Sequence, residues 1–327
     1  MKPTIAITIG DFNGIGPEVA LKAAAHAAVR RICTPVLVGP LNVWDHARGT
    51  LKIKPKLQKV VFPWNIPSVI GVADVGDGIW ADVEYGKTTK SSGKSAGAAI
   101  EMAVELCKTN KADAMVTGPV SKEALNLAGY SFPGQTEMIT LLSRSRKVAM
   151  MLVADGLRIG LVTIHSALRN VADQVTSEKI VEKVSIVNEA LKRNFGIQSP
   201  SVAVLALNPH AGEHGLIGNE EERTIIPAIR EAQSQGINVQ GPFSADGFFG
   251  TGSYKSYDAI IAMYHDQGLI PLKLSSFGKA VNFSAGLNII RTSPGHGTAY
   301  DIAGKGKADI SSMIEAIKLA ARFSSKK

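Results

Sequence analysis

Short apolar runs alternate with longer stretches in which apolar residues recur every three or four positions, along almost the whole chain. The short runs are typical of buried strands, and the longer stretches are typical of amphipathic helices. Residues 4–9 form the first run, which ends at Gly10-Asp11 and leads to Pro17, a residue that suits the first turn of a helix. We therefore predict a strand and then a helix running towards Val29, as the start of an α/β fold with a parallel sheet.

The middle of the chain departs from this alternation. Residues 147–153 and 157–163 are apolar runs on either side of Asp155-Gly156, a dipeptide typical of a tight hairpin turn. No Pro- or Ser-rich linker divides the chain, so the hairpin indicates a second lobe inserted within the first. Further strands are predicted at residues 35–38, 112–117, 202–207 and 258–264, and further helices at residues 177–194 and 310–323.

The composition is that of a globular protein, with 45% apolar and 6% aromatic residues among 327. No unbroken apolar run approaches the length of a membrane span, and the first residues lack the pattern of a signal peptide. Cys33 and Cys107 have no CxxC spacing and are interpreted as reduced thiols. We therefore expect a cytoplasmic protein with no membrane partner.

The formal net charge of +8 suits a site that attracts anionic substrates or a dinucleotide. Basic clusters such as residues 305–307 also occur in proteins that bind nucleic acid. No helix-turn-helix, zinc-finger or aromatic stacking pattern accompanies them, so we expect no nucleic-acid partner.

Three of the seven histidines share one sequence context, the point where an apolar strand gives way to a loop. They are His165, His210 and His265. Ligands bind beyond the carboxyl ends of strands in open α/β sheets, and three neutral imidazoles suit a divalent transition metal with open positions for substrate. Three unrelated loop histidines are the alternative. The shared context favours the metal.

A cationic group follows the third histidine. Lys273 lies eight residues after His265, Arg291 closes a short apolar run, and Asn282 lies between them. A lysine, an arginine and an amide on loops beside a metal suit a phosphate monoester. Solvated surface charge is the alternative interpretation for these residues taken alone.

The glycine loop after the first strand is a weak signal. Gly10, Gly14 and Gly16 have the GxxxGxG spacing of short-chain dehydrogenases, but no tyrosine in the chain is followed four residues later by the lysine that those enzymes require. The GxGxxG spacing is also absent from this loop. We therefore do not take the loop as evidence for a dinucleotide.

Ordered motifs along nearly the whole chain resemble those of the 4-hydroxythreonine-4-phosphate dehydrogenases of vitamin B6 synthesis. They are GDFNGIGPE at 10–18, TGPVSK at 117–122, FPGQTE at 132–137, NPHAGE at 208–213, YHDQG at 264–268 and NFSAGLNIIRTS at 282–293. The segment GHGTAYDIAGKG at 295–306 is similar to the cofactor loop of isopropylmalate dehydrogenases.

The resemblance implies a fold like that of isocitrate and isopropylmalate dehydrogenases, with two α/β/α lobes and a cleft between them. The first lobe is expected to comprise residues 1–125 and 295–327 and to carry the cofactor loop. The second lobe is expected to comprise residues 126–294 and to carry the metal and substrate residues. A homodimer with a shared active site is implied as well.

The resemblance also assigns site residues by position. His165, His210 and His265 match the ligands of a zinc, magnesium or cobalt ion, with His265 of the partner subunit completing each site. The expected substrate contacts are Gln135, Thr136, Lys273, Asn282 and Arg291. The expected cofactor contacts are His296, Gly297, Thr298, Ala299 and Asp301. A carboxylate at Asp301 repels the extra phosphate of NADP, so NAD is the expected cofactor. Apart from these matches, we expect Asp246 to act as a catalytic acid or as a carboxylate near the metal, and Lys273 to be the second catalytic group.

One position departs from the family pattern. Many members carry histidine where this chain has Gln135. Glutamine still forms hydrogen bonds with a substrate, but it does not titrate near neutral pH. We therefore expect no proton transfer by the side chain at this position, and the substrate is open to differ from that of the family members with histidine.

The implied activity is that of an oxidoreductase in pyridoxine biosynthesis. It oxidises 4-phosphooxy-L-threonine with NAD to 2-amino-3-oxo-4-phosphooxybutanoate, which loses carbon dioxide to give 3-amino-2-oxopropyl phosphate. One alternative is oxidation of 4-phospho-D-threonate or 4-phospho-D-erythronate in sugar-acid catabolism. A second alternative, from another class, is a phosphate-binding acyltransferase on a similar fold.

Overall fold

The computed structural model describes residues 2–62, 69–76, 82–154, 156–276 and 278–325. The chain divides into two α/β units, of which the first comprises Met1–Ser145 and Leu287–Lys327 and the second comprises Arg146–Gly286. The predicted α/β class is confirmed, and the second unit interrupts the first along the chain.

The first unit contains a parallel sheet. In spatial order its strands are β3 (Leu57–Lys59), β4 (Ile70–Ala73), β2 (Thr34–Val38), β1 (Thr4–Thr8), β5 (Ala114–Val116) and β12 (Arg291–Pro294). Each strand runs parallel to its neighbours, with Ile5 opposite Pro35 on one side and Ala114 on the other. Helices cover both faces of such a sheet, so Ile5 and Ile7 are fully buried and β1 has an unbroken apolar core.

Seven α-helices of the first unit lie within the described residues. They are α1 (Gly16–Ala25), α2 (Ala27–Ile32), α3 (Leu41–Thr50), α4 (Lys90–Lys108), α5 (Lys122–Leu127), α6 (Gln135–Leu142) and α12 (Ser311–Ser324). The prediction of one helix from Pro17 to Val29 was wrong, because the backbone of His26 is extended and divides α1 from α2. The His26 Nδ1 accepts a hydrogen bond from the Ala28 N–H and so caps α2.

The second unit contains a mixed sheet. In spatial order its strands are β11 (Val281–Ala285), β6 (Ala149–Ala154), β7 (Leu157–Leu161), β10 (Ala259–Ala262), β8 (Val202–Leu205) and β9 (Val239–Phe243). Strand β6 is antiparallel to both β7 and β11, whereas β7, β10, β8 and β9 are mutually parallel. The predicted hairpin strands are therefore confirmed, and Asp155 of the predicted turn lies outside the described residues.

The helices of the second unit pack around a core that includes Ile159, Leu161 and Ile260. Those described are α7 (Val171–Gln174), α8 (Ser177–Ala190), α9 (Ile226–Ser234), α10 (Ala245–Gly250) and α11 (His265–Ser276). Helix α8 continues as a wider turn to Phe195 and ends at Gly196, whose φ of 77° is left-handed. The predicted helix at 177–194 is thus confirmed, with its glycine stop.

The boundaries between the units differ from the expected ones. Residues 126–145 and 287–294 lie in the first unit, although the resemblance placed them in the second lobe. The reason is packing, because α6 lies against α4 and Arg291 and Thr292 of β12 pair with β5. Of the helices described, none combines the length and the apolar character needed to cross a lipid bilayer.

Candidate functional site

Two of the predicted metal ligands lie side by side in the second unit. Strands β7 and β10 are parallel neighbours, and the chain continues from their carboxyl ends to His165 and His265. The Thr163 N–H and hydroxyl both donate to the Met263 carbonyl, at 3.1 and 2.7 Å, and hold the two segments together. The imidazole centres are 6.0 Å apart. Two imidazoles on one cation, with metal–nitrogen bonds of about 2 Å, have ring centres about 5–6 Å apart.

A carboxylate orients one of these rings. The Nδ1 of His265 lies 2.6 Å from Asp266 Oδ1, and both residues belong to the first turn of α11. A carboxylate on one ring nitrogen fixes the tautomer and leaves the other nitrogen, Nε2, as a lone-pair donor. The pair therefore fits the role of a buttressed metal ligand.

His210 lies in a backbone turn of unusual hand. It follows β8, the other neighbour of β10. Every residue from His210 to Gly215 has a positive φ, between 43° and 89°. Such a conformation costs about 1–2 kcal/mol for each residue with a Cβ atom, so the surroundings must hold it in place.

Glu221 holds the two residues that precede the left-handed turn. Its side chain is 2% exposed, its Oε1 accepts from the Leu207 and Asn208 N–H groups at 2.8 Å, and its Oε2 accepts from Asn208 Nδ2 at 2.9 Å. No sequence pattern singled out Glu221. Glu221 stands within the run Glu220-Glu221-Glu222, which has the composition of an exposed surface.

His210 also has an acidic neighbour. A hydrogen bond from the Ser244 hydroxyl, with smaller effects of the Gly247 N–H and of His210, holds the pKa of Asp246 below its ordinary value of 3.8. Asp246 lies in the first turn of α10 and is exposed. It is therefore an ionised carboxylate at neutral pH, which favours an anionic role for it over that of a proton donor.

The structure pairs His165 with His265 and places Asp246 near His210. Among the described residues of a single chain, no three His, Cys, Asp or Glu side chains are grouped so that they could hold a metal ion together. The chemistry of the donors fits a transition metal, since each is an imidazole beyond the end of a strand.

The predicted substrate residues are divided between the units. In the second unit, Lys273 is exposed on α11, about 12 Å along the helix axis from His265, and Asn282 lies in β11. In the first unit, Gln135 and Thr136 form the start of α6. The Gln135 Oε1 is buried and has no hydrogen-bond partner in the described part of the chain, as expected of an acceptor that awaits a ligand.

Arg291 differs from the expectation of an open substrate contact. It is fully buried in β12, and its Nε and Nη2 donate to the Thr117 hydroxyl at 3.1 and 2.7 Å. Burial lowers the pKa of Arg291 to about 10, while the charge of Glu137 acts in the opposite direction. The guanidinium therefore remains a cation at neutral pH.

The predicted cofactor loop, residues 295–306, packs against the glycine loop at 10–16. The Ile15 N–H donates to the Thr298 carbonyl at 2.9 Å. A Cβ atom on Gly14 would lie 2.6 Å from that carbonyl oxygen, so only glycine permits this approach. Further along, the Lys22 ammonium donates to the Gly306 carbonyl at 2.9 Å, and Asp301 is exposed. The glycine loop therefore supports the predicted cofactor loop.

Comparisons with known proteins show which family this chain belongs to. The family model described as pyridoxal phosphate biosynthetic protein PdxA matches residues 31–320. The 4-hydroxythreonine-4-phosphate dehydrogenase of Trichlorobacter lovleyi is 43% identical over 98% of each chain. The D-threonate 4-phosphate dehydrogenase of Cupriavidus necator is 39% identical over 99% of this chain and 98% of its own.

A solved structure extends the similarity to the fold. The 4-hydroxythreonine-4-phosphate dehydrogenase of Klebsiella pneumoniae superposes with a TM-score of 0.89 at 36% identity, and the match covers 99% of this chain and 98% of that one. With the family model and the curated relatives, this shows that the chain belongs to the PdxA family of pyridoxal phosphate biosynthetic proteins, whose named relatives here are dehydrogenases.

Proposed function

We propose that this protein is an NAD- and metal-dependent dehydrogenase that oxidises 4-phosphooxy-L-threonine at C3. The product, 2-amino-3-oxo-4-phosphooxybutanoate, then loses carbon dioxide to give 3-amino-2-oxopropyl phosphate. The observation that carries the proposal is the placement of His165, His265 and His210 beyond the carboxyl ends of three adjacent strands, in a chain of this family. Such strand ends are where ligands bind in α/β sheets.

The chain's own residues hold the reactants. When bound, a divalent metal lowers the pKa of a hydroxyl group, and NAD accepts a hydride. His165, His210 and His265 bind the metal in a site that a second copy of the chain completes, with His265 of the partner subunit as the third ligand. The ionised Asp246 adds negative charge near His210. Zinc, magnesium and cobalt are the candidate metals.

The remaining residues set specificity. Lys273 and Asn282 bind the phosphate, because a lysine and an amide together offer several hydrogen-bond donors to its oxygens. Arg291, the third predicted contact, is fully buried and donates to the Thr117 hydroxyl, so it reaches the phosphate only when this contact opens. Gln135 and Thr136 bind the other end of the substrate. The exposed Asp301 accepts hydrogen bonds from the adenosine ribose and repels the 2′-phosphate of NADP. Residues 296–299 contact the cofactor as well.

A second candidate substrate is 4-phospho-D-threonate, with 4-phospho-D-erythronate as a close analogue. It is favoured by the similarity to the Cupriavidus enzyme. Gln135 is compatible with either substrate, because its oxygen, which has no partner among the described residues, accepts a hydrogen bond from a hydroxyl as readily as from an ammonium group. The two substrates differ in this substituent at C2, so their relative turnover decides between them.

The test is NADH formation from each substrate, with and without a chelator, for the wild type, His210→Ala and the control His46→Ala. We expect the chelator and His210→Ala each to reduce turnover by about 100-fold or more, and His46→Ala to leave it unchanged, because His46 is an exposed residue of α3. Turnover that persists in the presence of the chelator would contradict the proposed metal dependence. Absence of NADH with every substrate, together with acyl transfer to phosphate, would favour the acyltransferase.

A further inference from the structure

A buried carboxylate beneath the cofactor loop has no part in the proposed chemistry. Asp11 is fully buried, and its Oδ1 accepts from the Asn13 N–H at 2.9 Å. Its Oδ2 accepts from the Ser92 hydroxyl at 3.1 Å and the Tyr300 hydroxyl at 2.9 Å. A carboxylate is removed from water only at a large free-energy cost, which these hydrogen bonds offset. Burial raises the pKa of Asp11, while the bonds from Tyr300, Asn13 and Ser92 lower it.

Tyr300 brings this carboxylate into contact with the loop. It begins a short turn, Tyr300–Ile302, and follows Ala299, whose φ of 42° is left-handed. The Thr88 hydroxyl lies 3.5 Å from the Tyr300 hydroxyl, and the Ser121 side chain also forms a hydrogen bond with it, so the phenol is held by more than Asp11. Its neighbours in the chain, Ala299 and Asp301, are both proposed cofactor contacts.

We propose that Asp11 and Tyr300 are positioning residues for the nicotinamide cofactor: their hydrogen bond fixes residues 299–301 in the conformation that receives the adenosine part of NAD. The inference rests on the proposed function, because it takes residues 295–306 as the NAD-binding loop. It assigns a purpose to the glycine loop and names a tyrosine outside the expected cofactor contacts.

The loop depends on such attachments because its own hydrogen bonds are few. Within residues 295–306, the N–H groups of Ile302, Ala303 and Lys305 donate to the carbonyls of Ala299, Tyr300 and Ile302, and the Lys305 ammonium donates to the Asp301 carbonyl. Its position relative to α1 and β1 is set by contacts at Thr298, at Gly306 and at Tyr300. Of these three contacts, the one at Tyr300 lies between the left-handed Ala299 and Asp301. Without it, the free loop samples other conformations, and NAD binding must select the competent one.

Loss of the hydrogen bond between Asp11 and Tyr300 should lower the affinity for the cofactor and leave the rate of the chemical step unchanged, because neither residue touches the reacting atoms. Loss of one hydrogen bond to a buried charged group corresponds to a reduction in affinity of about 10-fold. We therefore expect Tyr300→Phe to raise the Kd of NADH and the KM of NAD about 10-fold, with kcat within about twofold of the wild type.

Two further variants separate the hydrogen bond from the charge. Asp11→Asn keeps the shape and still bonds the Asn13 N–H, while its amide donates to the Tyr300 and Ser92 oxygens, so the KM of NAD should rise no more than about threefold. Asp11→Ala removes the partner and should reproduce Tyr300→Phe. The control Tyr130→Phe loses a hydroxyl that contacts Glu101 at 3.4 Å in the same unit, away from the loop, and should bind NADH as the wild type does.

The experiment combines NADH fluorescence titration, steady-state kinetics and hydrogen exchange of the cofactor-free protein. We expect faster exchange at the amides of residues 298–303 in Tyr300→Phe, with exchange in the second unit unchanged. If Tyr300→Phe binds NADH with wild-type affinity, this inference is contradicted, whereas the proposed dehydrogenase activity is not. A fall in kcat at unchanged KM also overturns it, since Tyr300 then acts in the reaction. A wild type that binds no NADH overturns the proposed function together with this inference.

Discussion

Gly14 allows the glycine loop to contact the predicted cofactor loop, residues 295–306. An added Cβ atom would lie 2.6 Å from the Thr298 carbonyl oxygen and 3.0 Å from the Thr298 Cβ. Both neighbours are atoms that cannot swing aside as the end of a flexible side chain can. The hydrogen bond from the Ile15 N–H to Thr298 lies at the same contact, so it depends on this missing methyl group.

We expect Gly14→Ala to lower the free energy of unfolding by about 1–3 kcal/mol, because the two loops must separate. The measurement is urea unfolding, with NADH titration in parallel to detect the displaced cofactor loop. The matched control is Gly49→Ala in α3, where an added Cβ meets no atom within 4 Å. Alanine there reduces the freedom of the unfolded chain and should leave stability equal or slightly higher. Equal stability in both variants would contradict the close contact at Gly14.

At the scale of the element, the left-handed turn at 210–215 is held by a residue outside it. The oxygens of Glu221 accept from the two N–H groups that precede the turn and from the Asn208 side chain. A glutamine at this position keeps the size but faces Asn208 Nδ2 with a second donor, so one of these bonds is lost. The turn then relaxes towards ordinary backbone angles and carries His210 with it.

Because His210 is a proposed metal ligand, Glu221→Gln should weaken the binding of Co²⁺ or Zn²⁺ to the NAD-free protein by about 10- to 100-fold. Calorimetric titration measures this without reference to activity. The control is Glu222→Gln, the exposed neighbour, which should bind the metal as the wild type does. Unchanged affinity in Glu221→Gln would show that the turn holds its shape without this carboxylate.

The elements that the sequence predicted well are those with a local signal. The hairpin strands, the glycine stop of α8 and the helix at 310–323 each depend on neighbouring residues. The break at His26 was missed because one side chain forms a cap where the alanine-rich composition favours continuity. The functional contacts were harder, since Asp11 and Tyr300 are 289 positions apart and no periodicity reports their hydrogen bond. The family resemblance indicated candidate site residues but not the residues that hold them in place.

At the scale of the whole molecule, we expect two copies of the chain to share each metal site. If His265 of the partner subunit completes a site that contains His210, two inactive variants can complement each other. Mixed dimers of His210→Ala and His265→Ala contain one intact site and one site that lacks both ligands. After random reassortment, activity should recover to about a quarter of the wild-type value.

The measurement is NADH formation after unfolding and refolding the two variants together, with each variant refolded alone as the control. Should His165, His210 and His265 of one chain act as a set, each site of the mixed dimer lacks one ligand and no activity returns. The 6.0 Å separation of His165 and His265 within one chain makes this second outcome a definite structural alternative.

Because the second unit interrupts the first along the chain, the two units are completed at different times during translation. Arg146–Gly286 is synthesised whole before β12 and α12, so the inserted unit is free to fold while its host is incomplete. Strand β5 lacks its neighbour β12 until that strand has been synthesised. The glycine loop likewise lacks its contact with residues 295–306, which leave the exit tunnel almost three hundred residues later. A nascent chain therefore carries the three predicted metal-binding histidines well before it has the predicted cofactor loop, which is attached only as translation nears its end.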